Sequence, residues 1–437
     1  MKIAILGYGQ EGPSAEKFLR ARHPEATFDI FDSFSREDLE LSDYDLIVRS
    51  PSVPPTWLKS AGAKKSTTVT RLFFSAIKNS VIGITGTKGK GTTSSLIATL
   101  LEATNTPVKL VGNIGAPALD SLDQIQPQDV IIYEMSSFQL WDLDTSPHIA
   151  VVLGIAPDHL DRHADFDDYV AAKGHIAEFQ STHDYCIYDS NNQHSAKIAA
   201  LSPGHKIPYP PQLDAAAQHM LDNLLDYLTI PGNHNREDAT IALMACAAHY
   251  QQDLSTFIQE NHQIIANAFT KFQGLPHRIE FVRELNSIRY YDDNYSSAFP
   301  ALDVALATFA DTPTILIAGG KDRGLDLSTT KARLFSAPNL KKVILIGETA
   351  PILAADADPN TYIIADSLES AVKLAKTTAE QFQEAESSNY DLCIPGRTSG
   401  KIKSPVVVMS PGAASFDMFK NFRDRGEQFQ QLVRELE

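Results

Sequence analysis

The chain has 437 residues, 43% of them hydrophobic and 21% charged, the balance of a folded protein of roughly two to four domains rather than of a disordered one. A formal charge of −16 argues against a nucleic-acid partner, because an acidic surface repels a phosphate backbone. Cys186, Cys246 and Cys393 are too scattered for a disulfide framework or a thiolate zinc site, and no apolar run has the length of a membrane span or a signal-peptide core, so a cytoplasmic chain without membrane insertion is expected.

Three α/β blocks follow one another. A strand over 2–6 runs into the turn Gly7-Tyr8-Gly9-Gln10-Glu11-Gly12 and a helix over 14–22. Strands over 27–31 and 45–48 come next, the second stopped by Pro51, Pro54 and Pro55, which cannot continue a ladder. The second block has strands over 80–85, 130–134 and 149–153 with a helix over 92–103, an alternation that predicts a mostly parallel sheet covered on both faces. A third block starts near 274–278, with strands over 288–291, 314–318, 342–346 and 406–409; part of 384–403 reads as a loop.

The first turn is a GxGxxG pattern after a strand, with Asp32 about twenty residues on, where a ribose-binding acid is expected. Glycines admit a diphosphate, and the helix N-terminus stabilises its charge. The pattern serves NAD and a UDP-sugar equally, and a tight turn without ligand is the plain reading. The second glycine segment, Thr85-Gly86-Thr87-Lys88-Gly89-Lys90-Gly91-Thr92-Thr93, is more specific. Amides of such a loop wrap the phosphates of ATP, a lysine neutralises them and a hydroxyl reaches Mg²⁺. It departs from GxxxxGK[ST] twice: Ile84 stands where the first glycine falls, and Gly91 follows the lysine.

Downstream come Gly112-Asn113-Ile114-Gly115, Tyr133-Glu134-Met135-Ser136-Ser137-Phe138-Gln139-Leu140, Pro157-Asp158-His159-Leu160-Asp161-Arg162-His163 and Ala172-Lys173. In that order, and over essentially the whole chain, the set resembles the Mur ligases and the related folylpolyglutamate synthases. The resemblance implies a UDP-sugar-binding Rossmann-like domain over 1–79, a central P-loop ATPase-like domain that binds ATP over 80–275, and a C-terminal Rossmann-like domain that binds the amino acid over 276–437. It implies that Gly86, Thr87, Lys88, Gly89, Lys90, Gly91, Thr92 and Thr93 hold the phosphates. It also implies that Glu134 and His159 serve one or two Mg²⁺ ions, and that Thr92 or Thr93 supplies the hydroxyl missing at 91. Lys173, carbamylated by CO₂, would be an anion able to ligate a second ion; without the resemblance it reads as a surface lysine. Lys90, His159 and Lys173 are thus expected at the chemistry. Gly9, Gln10, Glu11, Asp32, Ser33, Asn113 and Gln139 are expected on the UDP-sugar.

The resemblance extends past 230. Pro231-Gly232-Asn233-His234-Asn235 resembles the adenine-side segment through Asn235, with Asp238 where a later asparagine is usual. Leu275-Pro276-His277-Arg278-Ile279-Glu280 resembles the linker that closes Arg278 on the phosphates, and Asp293 aligns with a ribose-binding acid. The run Ser410-Pro411-Gly412-Ala413-Ala414-Ser415-Phe416-Asp417-Met418-Phe419-Lys420-Asn421-Phe422-Arg423-Asp424-Arg425-Gly426 resembles the branch that adds D-glutamate to UDP-N-acetylmuramoyl-L-alanine. By that likeness Ser415 and Phe422 line the acceptor pocket, Ser297 keeps a needed hydroxyl, and Arg323 offers the acceptor carboxylate a bidentate fork. The plain reading of Ser415 and Phe422 is a helix cap and a core residue. Two family cations are missing: the lysine of the 293–298 segment is Tyr295, and the basic residue after Asp32-Ser33 is Phe34.

The implied chemistry is attack of a carboxylate on the γ-phosphate of ATP, then of an amine on the acyl phosphate, in a monomer whose third domain closes over the second. A folylpolyglutamate synthase shares the GKGT loop through Gly91 but lacks the N-terminal GxGxxG block and the C-terminal 410–426 signature. A dehydrogenase would leave Lys90, Glu134 and His159 without a role. A non-catalytic nucleotide-binding regulator is the reading that Tyr295 and Asp238 favour.

Overall fold

In the computed structural model of the chain, residues 1–113, 117–297, 299–324, 326–391 and 404–437 are described, with 299–301 and 386–391 described by backbone alone. Ile114, Gly115, Ala298, Cys393 and the expected loop from 392 to 403 lie outside them. The chain divides into two compact units, residues 1–228 with 234–272, and residues 229–233 with 273–437.

The first unit holds two parallel sheets. Strands β1 (Lys2–Leu6), β2 (Thr27–Phe31), β3 (Leu46–Arg49) and β4 (Ser66–Thr68) are ordered β2-β1-β3-β4. Strands β5 (Val81–Thr85), β6 (Val108–Gly112), β7 (Val130–Glu134), β8 (Ile149–Val152), β9 (Tyr185–Asp189) and β10 (His205–Tyr209) run β10-β9-β8-β5-β7-β6. β5 and β8 are buried along their whole length, as strands covered by helices on both faces must be. Because β7 and β8 flank β5 on opposite sides, the loop after β5 opens where three carboxyl ends converge.

One core spans both sheets, which is why the first two expected blocks fall in one unit. Ile3, Ile5, Phe18 and Phe73 belong to the same apolar cluster as Tyr133, Leu140 and Val152. Phe73 meets the Tyr133 ring edge-on at 5.5 Å, and Phe74 stacks on it at 5.9 Å. Polar contacts across the same seam involve Arg49, described below.

In the second unit, β11 (Glu280–Leu285), β12 (Ile288–Asp292), β13 (Thr314–Gly319), β14 (Leu340–Ile346), β15 (Tyr362–Ile364) and β16 (Val406–Met409) run β11-β12-β16-β13-β14-β15. Among these named strands the β11–β12 hairpin is antiparallel and the other pairings are parallel. Each face of this sheet carries its own apolar cluster, one around Leu316 and Val408, the other around Ile317 and Phe429.

The expected strand cores are present, and the helix starts differ. The helix expected from Ser14 is Glu11–Arg22, and the one expected from Thr92 is Lys90–Ala103. Glycine ordinarily reads as a helix breaker, but a Cβ on Gly12 would sit 2.9 Å from both the Gly7 carbonyl and the Tyr8 ring, so glycine there permits a close-packed first turn. The loop expected from Glu384 is helical as far as Asp391, within Leu368–Asp391. Among the described residues no helix is long and apolar enough to cross a membrane.

Candidate active site

The loop after β5 takes its shape from two glycines. Gly86 and Gly89 have φ of 154° and 84°, and a Cβ at either would lie 2.6 Å from Leu153 or from Asp238 Oδ1. Gly89 is the N-cap of Lys90–Ala103, so amides at that helix start point into the loop, where an anion is stabilised. Lys90 Nζ donates to the carbonyls of Gly86 and Thr87, each at 3.1 Å, lying back across the loop. Thr87 is tied down by its hydroxyl, which donates to Ala156 O at 3.0 Å and accepts from Ala156 N at 2.9 Å.

The two candidate hydroxyls separate. Thr93 is fully buried and donates to Asp238 Oδ1 at 3.1 Å, whereas Thr92 is half-buried on the first turn. Asp238, which stands where an asparagine is usual, is thus a buried brace under Gly89 and Thr93. Asn235, on the same helix, is buried as well.

Lys173 is not the surface lysine of the plain reading. It is 1% exposed, and its Nζ donates to Gly86 O at 2.9 Å and Thr85 Oγ1 at 3.2 Å, over the Tyr169 ring. Burial first, and then the neighbouring Lys90, hold its amine well below the usual lysine range. Glu134 ends β7 beside Ile84 of β5; it is 5% exposed, and its Oε1 accepts from Asn113 Nδ2 at 3.3 Å. A carboxylate buried beside a phosphate loop, with Thr92 as a second hard oxygen, suits Mg²⁺. His159 is half-exposed at φ 54° with its ring 5.0 Å from that of Phe138. His163, by contrast, is a packed histidine held by Asp168 and Ser137, both at 3.0 Å.

At the GxGxxG turn, Asp32 Oδ1 accepts from Tyr8 N at 3.0 Å and closes the loop. Gln10 and Ser33 are exposed, and a Cβ on Gly9 would meet nothing within 4 Å, so the protein leaves room there. Glu11 accepts from Gln139 Nε2 at 2.9 Å while its Oε2 is buried without a partner; burial raises its pKa above the usual carboxyl range. The turn, Asn113 and Gln139 therefore belong to the same unit, and two of the expected sugar-site residues touch. Phe34, in place of a cation, packs against the cluster of Leu39, Leu41 and Tyr44.

In the second unit, Asp293 is a buried network centre. Its Oδ2 accepts from Ser296 Oγ at 2.5 Å and Ser410 Oγ at 2.6 Å, and burial pushes its pKa up to about 6. Ser415 is buried just after β16, and its carbonyl accepts from Phe419 N at 2.8 Å. It is not the helix cap: Asn421 is, accepting from Arg423 N and Asp424 N. Phe422 opens that helix half-buried, while Ser297 and Arg323 are exposed.

The sequence motifs give two buried arginines no role, although Arg425 stands inside the 410–426 run. Arg49, at the end of β3, pairs with Asp142 at 2.5 Å and donates to Val53 O at 2.9 Å and Phe138 O at 3.1 Å, tying the two sheets of the first unit. Arg425 donates to Asn294 Oδ1 at 2.7 Å and Ala413 O at 3.1 Å, and burial lowers its pKa to about 10. A periodic signal for Arg425 does exist, since it lies on the buried stripe of its helix with Gly426, Phe429 and Val433. Arg49 has none, because its partner is 93 residues away.

Residues 84–226 match the Mur ligase middle domain. Over its full length the chain is 30% identical to a UDP-N-acetylmuramoylalanine--D-glutamate ligase of Streptococcus suis, covering 98% of that protein. It is 32% identical to the protein of the same name from Streptococcus thermophilus, with 100% of this chain and 97% of that one covered. Among solved structures it resembles the UDP-N-acetylmuramate-alanine ligase of Thermotoga maritima, with a TM-score of 0.55, 14% identity and 99% of each chain covered. A Mycobacterium tuberculosis folylpolyglutamate synthase complexed with ADP gives a TM-score of 0.56 at 14% identity, covering 84% of this chain and 94% of that one. At that identity the structural likenesses establish the fold.

Proposed function

This chain belongs to the Mur ligase family, and from that premise we propose that it joins D-glutamate to UDP-N-acetylmuramoyl-L-alanine with ATP, a step of peptidoglycan precursor synthesis. The observation that carries the reading is the phosphate loop itself, with Lys90, Lys173 and Glu134 gathered on it, in a chain like the D-glutamate ligases from end to end.

In this reading, loop amides from Gly86 to Gly91 and Lys90 hold the triphosphate, with Arg278 as a further phosphate cation and Asn235 and Asp293 toward the nucleoside. Gly9, Gln10, Glu11, Asp32, Ser33, Asn113 and Gln139 hold the UDP-sugar. The alanyl carboxylate attacks the γ-phosphorus, the bond to ADP breaks, and an acyl phosphate results. The amine of D-glutamate then attacks the acyl carbon; the C–N bond forms, phosphate leaves and the ammonium proton is lost. Ser297, Arg323, Ser415 and Phe422 orient the acceptor. Glu134, His159 and Thr92 would hold Mg²⁺, which supplies charge neutralisation between the two anions. Addition of CO₂ to the unprotonated amine of Lys173, with loss of a proton, would give a carbamate able to serve a second ion as an anionic ligand, where an ammonium would repel it; burial disfavours that ammonium. We place the enzyme in the cytoplasm as a monomer.

The test is phosphate release from ATP and Mg²⁺ with UDP-N-acetylmuramoyl-L-alanine, comparing D-glutamate, L-glutamate, L-lysine and no acceptor. Release that requires both substrates and prefers D-glutamate is expected. Turnover with a different amino acid or a folate would retain the ligase chemistry and overturn the named substrates.

A further inference from the structure

Arg278 sits in an over-determined turn. Its neighbours His277 and Ile279 both have left-handed backbones, φ 61° and 48°, a conformation that is costly for a branched residue such as isoleucine. The turn is held from several directions. His277 N donates to Glu280 Oε2 at 2.8 Å, His277 Nδ1 pairs with Asp292 at 2.7 Å, and Tyr295 N donates to His277 O at 3.0 Å. Gly426 leaves the space that His277 fills, since a Cβ there would be 2.3 Å from its Nδ1. These bonds fix the backbone from which Arg278 projects.

The guanidinium of Arg278 lies 3.8 Å from the centre of the Tyr295 ring. The ring is itself braced edge-on by Phe422, with centroids 5.4 Å apart at 85°. Tyr295 is 49% exposed, so one side of the Arg278–Tyr295 pair is open to solvent. The structure records no ion pair for Arg278 among the described residues. A half-buried guanidinium over an aromatic face is held by the ring quadrupole without using up its N–H donors, which stay available to an oxyanion.

We propose that Tyr295 is the positioning residue for Arg278: its ring, steadied by Phe422, holds the guanidinium as the oxyanion-binding cation of this unit, so that the charge absent at position 295 is carried by Arg278 resting upon it. The inference rests on the reading of Arg278 as a phosphate-binding residue. The ring does the work and the phenol hydroxyl does not, which separates this role from a proton-transfer role for Tyr295.

The experiment compares the full-length protein with Tyr295→Phe, Tyr295→Leu, Arg278→Ala and the Arg278→Ala/Tyr295→Leu double variant. Phosphate release and thermal melting are measured alongside the NMR shift of the Arg278 Nε–H group. Tyr295→Phe is expected to keep kcat and KM within about twofold. Tyr295→Leu is expected to lower kcat about tenfold at an unchanged melting temperature, and the double variant to be no slower than Arg278→Ala. The Arg278 resonance should carry a ring-current shift in the wild type and Tyr295→Phe that is lost in Tyr295→Leu. A resonance indifferent to Tyr295→Leu, losses equal in Tyr295→Phe and Tyr295→Leu, or additive losses in the double variant would overturn the proposal. A wild type that releases no phosphate would sink the ligase reading alone, and the ring-current comparison would still decide the positioning role.

Discussion

The phosphate loop of the first unit and the polar network of the second are built from different kinds of information. The loop is one contiguous run, 85–93, whose shape follows from Gly86 and Gly89 occupying backbone conformations that other residues avoid. The network around Asp293 joins residues far apart in the chain: Ser410 is 117 positions away, and Arg425 lies 131 positions from the Asn294 it holds. Local stereochemistry is written in adjacent letters. A buried charge and its partners are brought together only by the sheet.

Loss of function should therefore concentrate in the loop and loss of stability in the network. Lys90→Ala is expected to lower phosphate release about 10³-fold while shifting the melting temperature little, because the ammonium meets a developing charge rather than a core. A large drop in melting temperature would erase the contrast. Arg425→Met should do the reverse, destabilising the second unit by about 3 kcal/mol in denaturant titration, since Asn294 Oδ1 and Ala413 O lose a buried donor.

Asp293 sharpens the comparison through pH. Its carboxyl holds a proton more tightly in the folded chain, at about 6, than its ordinary value of 3.8. Its stabilising share is therefore complete below about pH 4 and is lost as pH rises through about 6. Asp293→Asn, which cannot ionise, should gain on the wild type by on the order of 2–3 kcal/mol between pH 4 and 7. Melting curves that stay parallel across that range would show that the site does not titrate.

Smaller effects divide the loop itself. Thr93→Val should cost about 1–2 kcal/mol by removing the buried hydrogen bond from the Thr93 hydroxyl to Asp238, and Thr92→Val should instead weaken the Mg²⁺ dependence of turnover at unchanged stability. Gly9→Ala should leave stability within about 0.5 kcal/mol, because a Cβ there meets nothing, yet raise KM for the UDP-sugar. If KM is unmoved, the open space at Gly9 is not part of the binding site.

Much of this protein is legible in its amino-acid sequence alone. Alternating apolar runs mark the three α/β blocks, because strands such as β5 and β16, buried on both faces, have to be continuous hydrophobic segments. The glycine loops are readable for the same local reason. What only the tertiary structure decided is the allocation of polar side chains. It assigned Thr93 to Asp238, took Asp32 into its own turn and Asp293 into a serine cage, and buried Lys173 beside the loop instead of at the surface. It also merged two expected blocks through Phe73, Tyr133 and Arg49. A side chain's protonation state and its partners depend on which distant elements exclude water from it, and periodicity along the chain carries no record of that.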